Sequence, residues 1–419
     1  MELTPEEQQH LGFEVGRAFS PAAPINEADL FAGRIDQLRR VIDAIAQRGQ
    51  HVIIFGERGV GKTSLANVLS AFLEKPNMPF PILAPKVNCD GQDTYSSLWR
   101  KVFSQIDIAR EVRRIGFTVD PGVEHQRISD SLPDDISPDL VREHLSVLGA
   151  RVLLIVIIDE YDRLPNGQTG RLFADTIKML SDYSVPATLV LVGVANTVDE
   201  LIAEHQSIER ALVQVPMPRM SPKELHEIVN KGLSKVQMDI QAEALDHIAL
   251  LSRGLPHYTH LLGLHSARMA IDNGSRHVGL SYVDGAIKRA IEGAQQSIIS
   301  AYHRATMSPR RENLYAQVLL ACALAECDEL GYFAPSDVRR PMSAIMRKRY
   351  DIPNFARHLA DFCSPGRGPI LEKTGARHRF RFRFINPLMQ PFVIMKGLDC
   401  GMVDRTALNR SIHQLVASK

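Results

Sequence analysis

The chain has 419 residues, 45% hydrophobic and 23% charged, with a formal net charge of +1 and five cysteines. This is the composition of a globular protein with room for two or three domains. It excludes a disulfide scaffold, because Cys89, Cys322, Cys327, Cys363 and Cys400 form no C-x-x-C pair and no metal-ligand spacing. The longest apolar run, residues 152–158, has the length of a strand and is too short to cross a bilayer. The acidic opening Met1-Glu2-Leu3-Thr4-Pro5-Glu6-Glu7 does not have the pattern of a signal peptide. A cytoplasmic protein with reduced thiols and no membrane partner is therefore expected.

In chain order, the first strong element is a strand, His51-Val52-Ile53-Ile54-Phe55, followed by Gly56-Glu57-Arg58-Gly59-Val60-Gly61-Lys62-Thr63. This is a complete G-x-x-x-x-G-K-[ST] loop, and Ser64-Leu65-Ala66-Asn67 opens the helix that the motif requires after it. The glycines let backbone N–H groups curl around a phosphate, and the helix N-terminus adds partial positive charge. Lys62 is expected to bridge the β- and γ-phosphates of ATP, and the Thr63 hydroxyl to ligate Mg²⁺.

Residues 83–90 read as a second strand and 105–137, with Asp120-Pro121-Gly122, as an irregular excursion. Residues 152–158 form a continuous apolar run, as expected of a strand buried on both faces of a parallel sheet, and end in Asp159-Glu160. Asp159 stands where a Mg²⁺-associated aspartate belongs, and Glu160 where a base can activate water. A further strand, 187–195, ends at Asn196, a polar residue able to hold attacking water at the sheet's C-terminal edge. Residues 212–218 complete a parallel five-stranded α/β set, for which the order 5-1-4-3-2 is expected.

From Ser221 the pattern turns helical, with Ser221 as N-cap, Pro222 at the first position and Glu224 at the third. Helices are expected over 222–236, 242–251, 256–271 and 282–291. Farther on, a helix over 313–325, a short strand at 331–333, helices over 336–346 and 353–363, and a hairpin with arms at 370–373 and 377–385 follow the order of a winged helix. In the second arm Arg377, Arg379, Arg381 and Arg383 alternate with His378, Phe380, Phe382 and Phe384. A period of two puts the arginines on one face and the rings against the core. Residues 331–385 hold 12 Lys or Arg against 4 Asp or Glu, and Arg347-Lys348-Arg349 lies between the two helices. Such a basic wing and junction is the electrostatic footprint of a double-stranded DNA partner.

Residues 26–293 resemble the AAA+ ATPases, specifically the clade of origin-recognition and replication-initiator ATPases. Leu30-Phe31-Ala32-Gly33-Arg34 resembles the family's adenine-contacting box. The loop from Gly56 through Ser64 corresponds to Walker A, Ile158-Asp159-Glu160 to Walker B, and Asn196 to sensor 1. Ser207-Ile208-Glu209-Arg210 resembles the region of the arginine finger, which implies that Arg210 completes a neighbour's site in a nucleotide-dependent homo-oligomer. The lid triplet Gly254-Leu255-Pro256 brings Pro256 and His257 toward the adenine. Many relatives carry a sensing arginine where His257 stands, and in this respect the chain is similar to STAND-type switch ATPases, which hold ADP tightly. The resemblance implies an N-terminal extension (1–25), a P-loop core (26–220), a helical lid (221–295), a winged-helix domain (296–400) and a tail (401–419). The expected function is an ATP-dependent, slowly hydrolysing switch that engages DNA in the manner of an initiator or loader. The alternatives are a signalling or defence ATPase of the STAND kind, with a protein partner, and a transposition-regulator ATPase that polymerises on DNA.

Overall fold

Segments at five places in the chain assemble into one parallel sheet. The computed structural model describes residues 3–21, 33–73, 81–112, 122–165, 167–195, 206–308, 313–328, 330–376 and 379–405. The first eight strands are β1 (His51–Gly56), β2 (Ile82–Leu83), β3 (Lys86–Asn88), β4 (Asp107–Val112), β5 (Gly122–Arg127), β6 (Leu153–Asp159), β7 (Ala187–Val194) and β8 (Leu212–Pro216). The main sheet runs β2-β6-β7-β1-β8, with β3 paired to the same edge of β6, and every pairing is parallel. This is the expected α/β order, except that the second strand is split at Ala84-Pro85, where the proline has no N–H to give to the ladder. Along β6, Leu154, Val156 and Ile158 enter the core containing Trp99, Phe103 and Phe173. Ile155 and Ile157 enter the one containing Val41, Leu65 and Leu69. Alternate side chains thus serve opposite faces, which is why the whole run has to be apolar.

The excursion at 105–137 differs from expectation. Strands β4 and β5 pair antiparallel in six positions, from Asp107 with Arg127 to Val112 with Gly122. Its arms, Asp-Ile-Ala-Arg-Glu-Val and Gly-Val-Glu-His-Gln-Arg, carry no clean apolar alternation, so a periodicity reading finds no strand there.

The core helices are α1 (Pro5–Ala18), α2 (Ile35–Ile45), α3 (Lys62–Leu73), α4 (Tyr95–Phe103), α5 (Pro138–Gly149) and α6 (Gln168–Asp182). After them come α7 (Pro222–Lys235), α8 (Ala242–Ser252), α9 (Pro256–Asp272) and α10 (Leu280–Glu292), as anticipated. Ser221 caps α7 reciprocally: Glu224 N–H donates to Ser221 Oγ at 3.4 Å, and Ser221 N–H to the Glu224 carboxylate at 2.8 Å. Helix α1 was not anticipated, although Thr4 and Glu7 form the same reciprocal cap. It packs on α7 and α9, and the ring of Phe19 just beyond it lies over Gly232 and Gly263, where any Cβ would stand within 2.6 Å of ring carbons. Phe19→Ala empties that groove and is expected to lower stability by about 3–5 kcal/mol. Chemical denaturation would read this as a shifted midpoint at unchanged m. A loss below about 1 kcal/mol would mean that Phe19 does not hold α1 in solution.

The remaining elements are the two-residue strands β9 (Asp239–Ile240) and β10 (His277–Val278), then α11 (Gln296–Thr306), α12 (Tyr315–Leu324), α13 (Pro335–Met346), α14 (Ile352–Phe362), the strands β11 (Leu371–Thr374) and β12 (Arg381–Phe384), and α15 (Met389–Asp399). The short strand expected at 331–333 reduces to one bridge, Phe333 with Phe382. Helices α11 and α15 are additions to the expected order. Helix α15 packs on α8, α10 and α12, and one continuous core joins α1 and α7–α15.

Candidate nucleotide site and basic surface

β1, β6 and β7 all end at the same edge of the sheet, so the glycine-rich loop, Asp159 and Val194 converge there. The loop's first glycine sits so close to the chain beyond β8 that a Cβ on Gly56 would lie 2.4 Å from the Met217 carbonyl oxygen. Gly61, at φ 96°, takes the left-handed backbone that turns the loop into α3. Lys62 is buried at the start of α3, and its ammonium donates to the carbonyls of Gly56 and Glu57, both at 2.9 Å. Burial pushes its pKa down to about 8, against the pull of Asp162, Asp159 and Glu57.

The Thr63 hydroxyl donates to Asp159 Oδ1 at 3.4 Å, and the Glu160 N–H donates to the same oxygen at 2.9 Å. Asp159 is buried, yet its Oδ2 accepts no hydrogen bond; the Lys86 ammonium stands 3.3 Å away and donates to Asn67. A buried carboxylate oxygen that accepts no hydrogen bond and faces only the charge of Lys86, beside a threonine hydroxyl, fits a hydrated Mg²⁺, since both are hard oxygen donors. Glu160 has left-handed backbone, φ 56°, which turns its carboxylate to the mouth of the cavity, where Arg163 pairs with it at 2.8 Å.

These groups face a cavity of about 760 Å³. Of the residues singled out in the sequence, Arg58, Gly59, Gly61, Lys62, Thr63, Ser64, Asp159, Glu160, Pro256 and His257 line it. Gly56 and Val60 are buried behind the loop, and the Glu57 side chain turns away from the cavity to Arg219. Arg210 is exposed in a 3₁₀ turn (Gln206–Ala211) and does not line the cavity. Asn196 lies outside the described residues, as does the adenine-box candidate up to Ala32. His257 donates from Nδ1 to the Pro21 carbonyl at 2.7 Å, and burial lowers its pKa below the usual imidazole value. Burial thus favours its neutral form, which works against its standing in for a sensing arginine.

Four charged residues support this site; Lys86, Arg163 and Arg219 were missed in the sequence, and Arg34 enters there only through the resemblance to the adenine-contacting box. Arg34 is buried behind the loop, donates to the carbonyls of Val60 and Pro218, and faces Glu224 at 3.9 Å. Only Arg163, three residues after Glu160, had a local signal; the other three meet partners far away in the chain.

The basic surface needs correction. The alternation holds for Phe382 and Phe384, which are buried, while Phe380 is half-buried beneath Lys373. The arginine face is not four free cations. Arg381 pairs with Asp328 at 3.0 Å, and Arg383 pairs with Glu372 and lies over the Tyr332 ring. Strand register sets Glu372 directly opposite Arg383, which a count of charges cannot register. Arg379 is exposed, and Arg377 lies outside the described residues. Arg347, Lys348 and Arg349 are all exposed at the turn between α13 and α14, with Arg349 3.6 Å from Asp351. None of the described helices is long and apolar enough to cross a membrane.

Residues 45–202 match the family model described as an AAA domain. No curated protein matches the chain. Among solved structures it is similar to the ORC2 protein of Aeropyrum pernix, at 13% identity and a TM-score of 0.49 over 96% of this chain and 98% of that one. It is also similar to a Walker-type ATPase of Pyrococcus abyssi, at 17% and 0.49 over 89% and 98%. A third is the Aeropyrum pernix ORC1 protein in complex with DNA, at 14% and 0.46 over 92% and 93%.

Proposed function

We propose, from the AAA domain at residues 45–202, that this protein is an ATP-binding switch that hydrolyses ATP slowly and engages double-stranded DNA, in the manner of an initiator or loader. The observation that carries the reading is the convergence of Lys62, Thr63 and Asp159 at one sheet edge, with a hydroxyl-to-carboxylate distance of 3.4 Å. Lys62 would meet the β- and γ-phosphates, Thr63 and Asp159 would hold Mg²⁺, and Glu160 would activate water. Mg²⁺, when bound, neutralises charge between those phosphates. Asn196 would orient the water and Arg210 would complete a neighbour's site in a homo-oligomer.

Two features support slow turnover. Burial favours the neutral form of His257 in the lid, and Glu160 is held by Arg163 instead of standing free. We assign residues 296–400 to a winged helix on their element order, with 1–25 an extension, 26–220 the core, 221–295 the lid and 401–419 a tail. DNA engagement rests on the exposed Arg347, Lys348, Arg349 and Arg379. The second reading, a signalling switch with a protein partner, is favoured by Leu388, which lines the nucleotide cavity from the C-terminal elements.

A mobility-shift titration with duplex DNA, run with ADP and with a non-hydrolysable ATP analogue while assembly state is measured, separates the two. The initiator reading expects tighter duplex binding and larger assemblies with the analogue. Nucleotide binding with no duplex affinity in either state overturns it in favour of the signalling switch.

A further inference from the structure

The phosphate loop carries a carboxylate in its second position, where it would repel a triphosphate. Glu57 is nonetheless buried, so something must hold it. Arg219 does so with a two-pronged contact, Nε to Oε2 at 2.7 Å and Nη2 to Oε1 at 2.9 Å. The third nitrogen of that guanidinium, Nη1, donates to the Gln390 side-chain oxygen and to the Arg253 carbonyl. Gln390 is itself 1% exposed, and its amide donates at 2.9 Å to the carbonyl of Ala323 in α12. Gly331 closes the pair from another side, since a Cβ there would lie 2.9 Å from both Arg219 Nη2 and Glu57 Oε1. The ion pair that restrains the phosphate loop is thus completed and dried by three C-terminal segments.

A second contact links the same bodies independently. The Tyr258 hydroxyl donates at 2.8 Å to the carbonyl of Leu388, a residue that lines the nucleotide cavity.

We propose that Arg219 is a positioning residue for the phosphate loop, holding Glu57 out of the phosphate site, and that through Gln390 it couples nucleotide binding to docking of the C-terminal elements. The inference rests on the nucleotide-binding reading above. A buried guanidinium–carboxylate pair persists only while water is kept out and its remaining donors are satisfied. Undocking of α15 would remove both conditions and release Glu57 toward the phosphates. The link also runs the other way, because the Glu57 carbonyl accepts from Lys62, the residue that must turn to a bound phosphate. Coupling of this kind is reciprocal, so whatever docking contributes to nucleotide affinity, the nucleotide returns to docking.

The test is calorimetric titration of ADP into the full chain and into Arg219→Met, Gln390→Ala and Glu57→Gln/Arg219→Met. Hydrogen exchange is followed at 323–325 and 388–392 with and without ADP. Arg219→Met is expected to weaken ADP at least about tenfold, and the double variant to return it to within about threefold of the unmodified chain. Because removing the carboxylate also relieves a stranded buried charge, the melting of each variant is read alongside, and a merely structural role would restore stability without restoring ADP-induced protection. Gln390→Ala, which touches no part of the cavity, is expected to weaken ADP and to abolish the ADP-induced protection at both segments. If Arg219→Met does not fold, Arg219→Lys and Gln390→Ala carry the same comparison, each expected to fall between the unmodified and uncoupled limits. ADP binding that is equal in all folded variants, or a double variant no tighter than Arg219→Met, overturns the proposal while leaving nucleotide binding intact. No ADP binding by the unmodified chain overturns both.

Discussion

Glu160→Gln is expected to leave ATP affinity within about threefold of the unmodified chain and to lower turnover by about 10²–10⁴, the usual worth of a positioned general base. The carboxylate sits at the cavity mouth, about half exposed, on a left-handed residue that directly follows Asp159. Glutamine keeps its size and can still accept from Arg163, but it cannot take a proton from water. Lys62→Ala is the complementary change, and binding itself should be lost, because the buried ammonium at the start of α3 is the cation the loop holds for the phosphates.

The depressed pKa of Lys62 adds a pH signature to that expectation. Its folded value of about 8 is below the ordinary lysine value, so the unfolded chain binds more protons as pH rises between the two. Stability from this group therefore increases over that window, and Lys62→Met should remove the dependence. ATP prefers the charged form, so affinity should fall above about pH 8, by at most about tenfold per unit. Near-normal hydrolysis by Glu160→Gln would show that another group activates the water. Pure competition of ATP with salt, with no break near pH 8, would show that Lys62 does not face the phosphates.

Neutralising Arg347, Lys348, Arg349 and Arg379 to alanine is expected to weaken duplex binding by roughly 10²–10³-fold and to flatten the slope of log K against log salt by up to about 3.6, at about 0.9 per lost phosphate contact. These four are exposed at the turn between α13 and α14 and on the hairpin, whereas Arg381 and Arg383 are held by closer acidic partners and should matter less. Arg381→Ala is the informative control: its duplex affinity should change little. Phe382→Ala should instead cost about 3–5 kcal/mol of stability, since that ring is buried against Phe333. The four-residue variant must melt like the unmodified chain for the comparison to hold. Duplex binding that stays equally tight across the salt range in that variant would rule out this surface and strengthen the signalling-switch reading.

Much of this molecule was legible from local pattern. The phosphate loop, the strand ending in Asp159-Glu160, the Ser221–Glu224 cap and the Phe382/Phe384 alternation each lie within a few residues, and their periodicity is set by the backbone itself. Even the strand order could be anticipated, because parallel strands joined by helices have few arrangements. Helix α1 should have been read as well, since Thr4 and Glu7 stand at capping-box spacing. The polar hairpin β4–β5 and helix α15 offered no comparable signal.

What only the tertiary structure decided is which charges find partners. Glu57 and Arg219 are 162 residues apart, Arg219 and Gln390 171, and Arg381 turns to Asp328 instead of standing free. Asp159 meets Lys86 only because β3 and β6 are neighbours in the sheet. Side-chain chemistry says that a buried charge must be answered, but the answering group is chosen by packing between distant segments, and no local period in a sequence carries that choice.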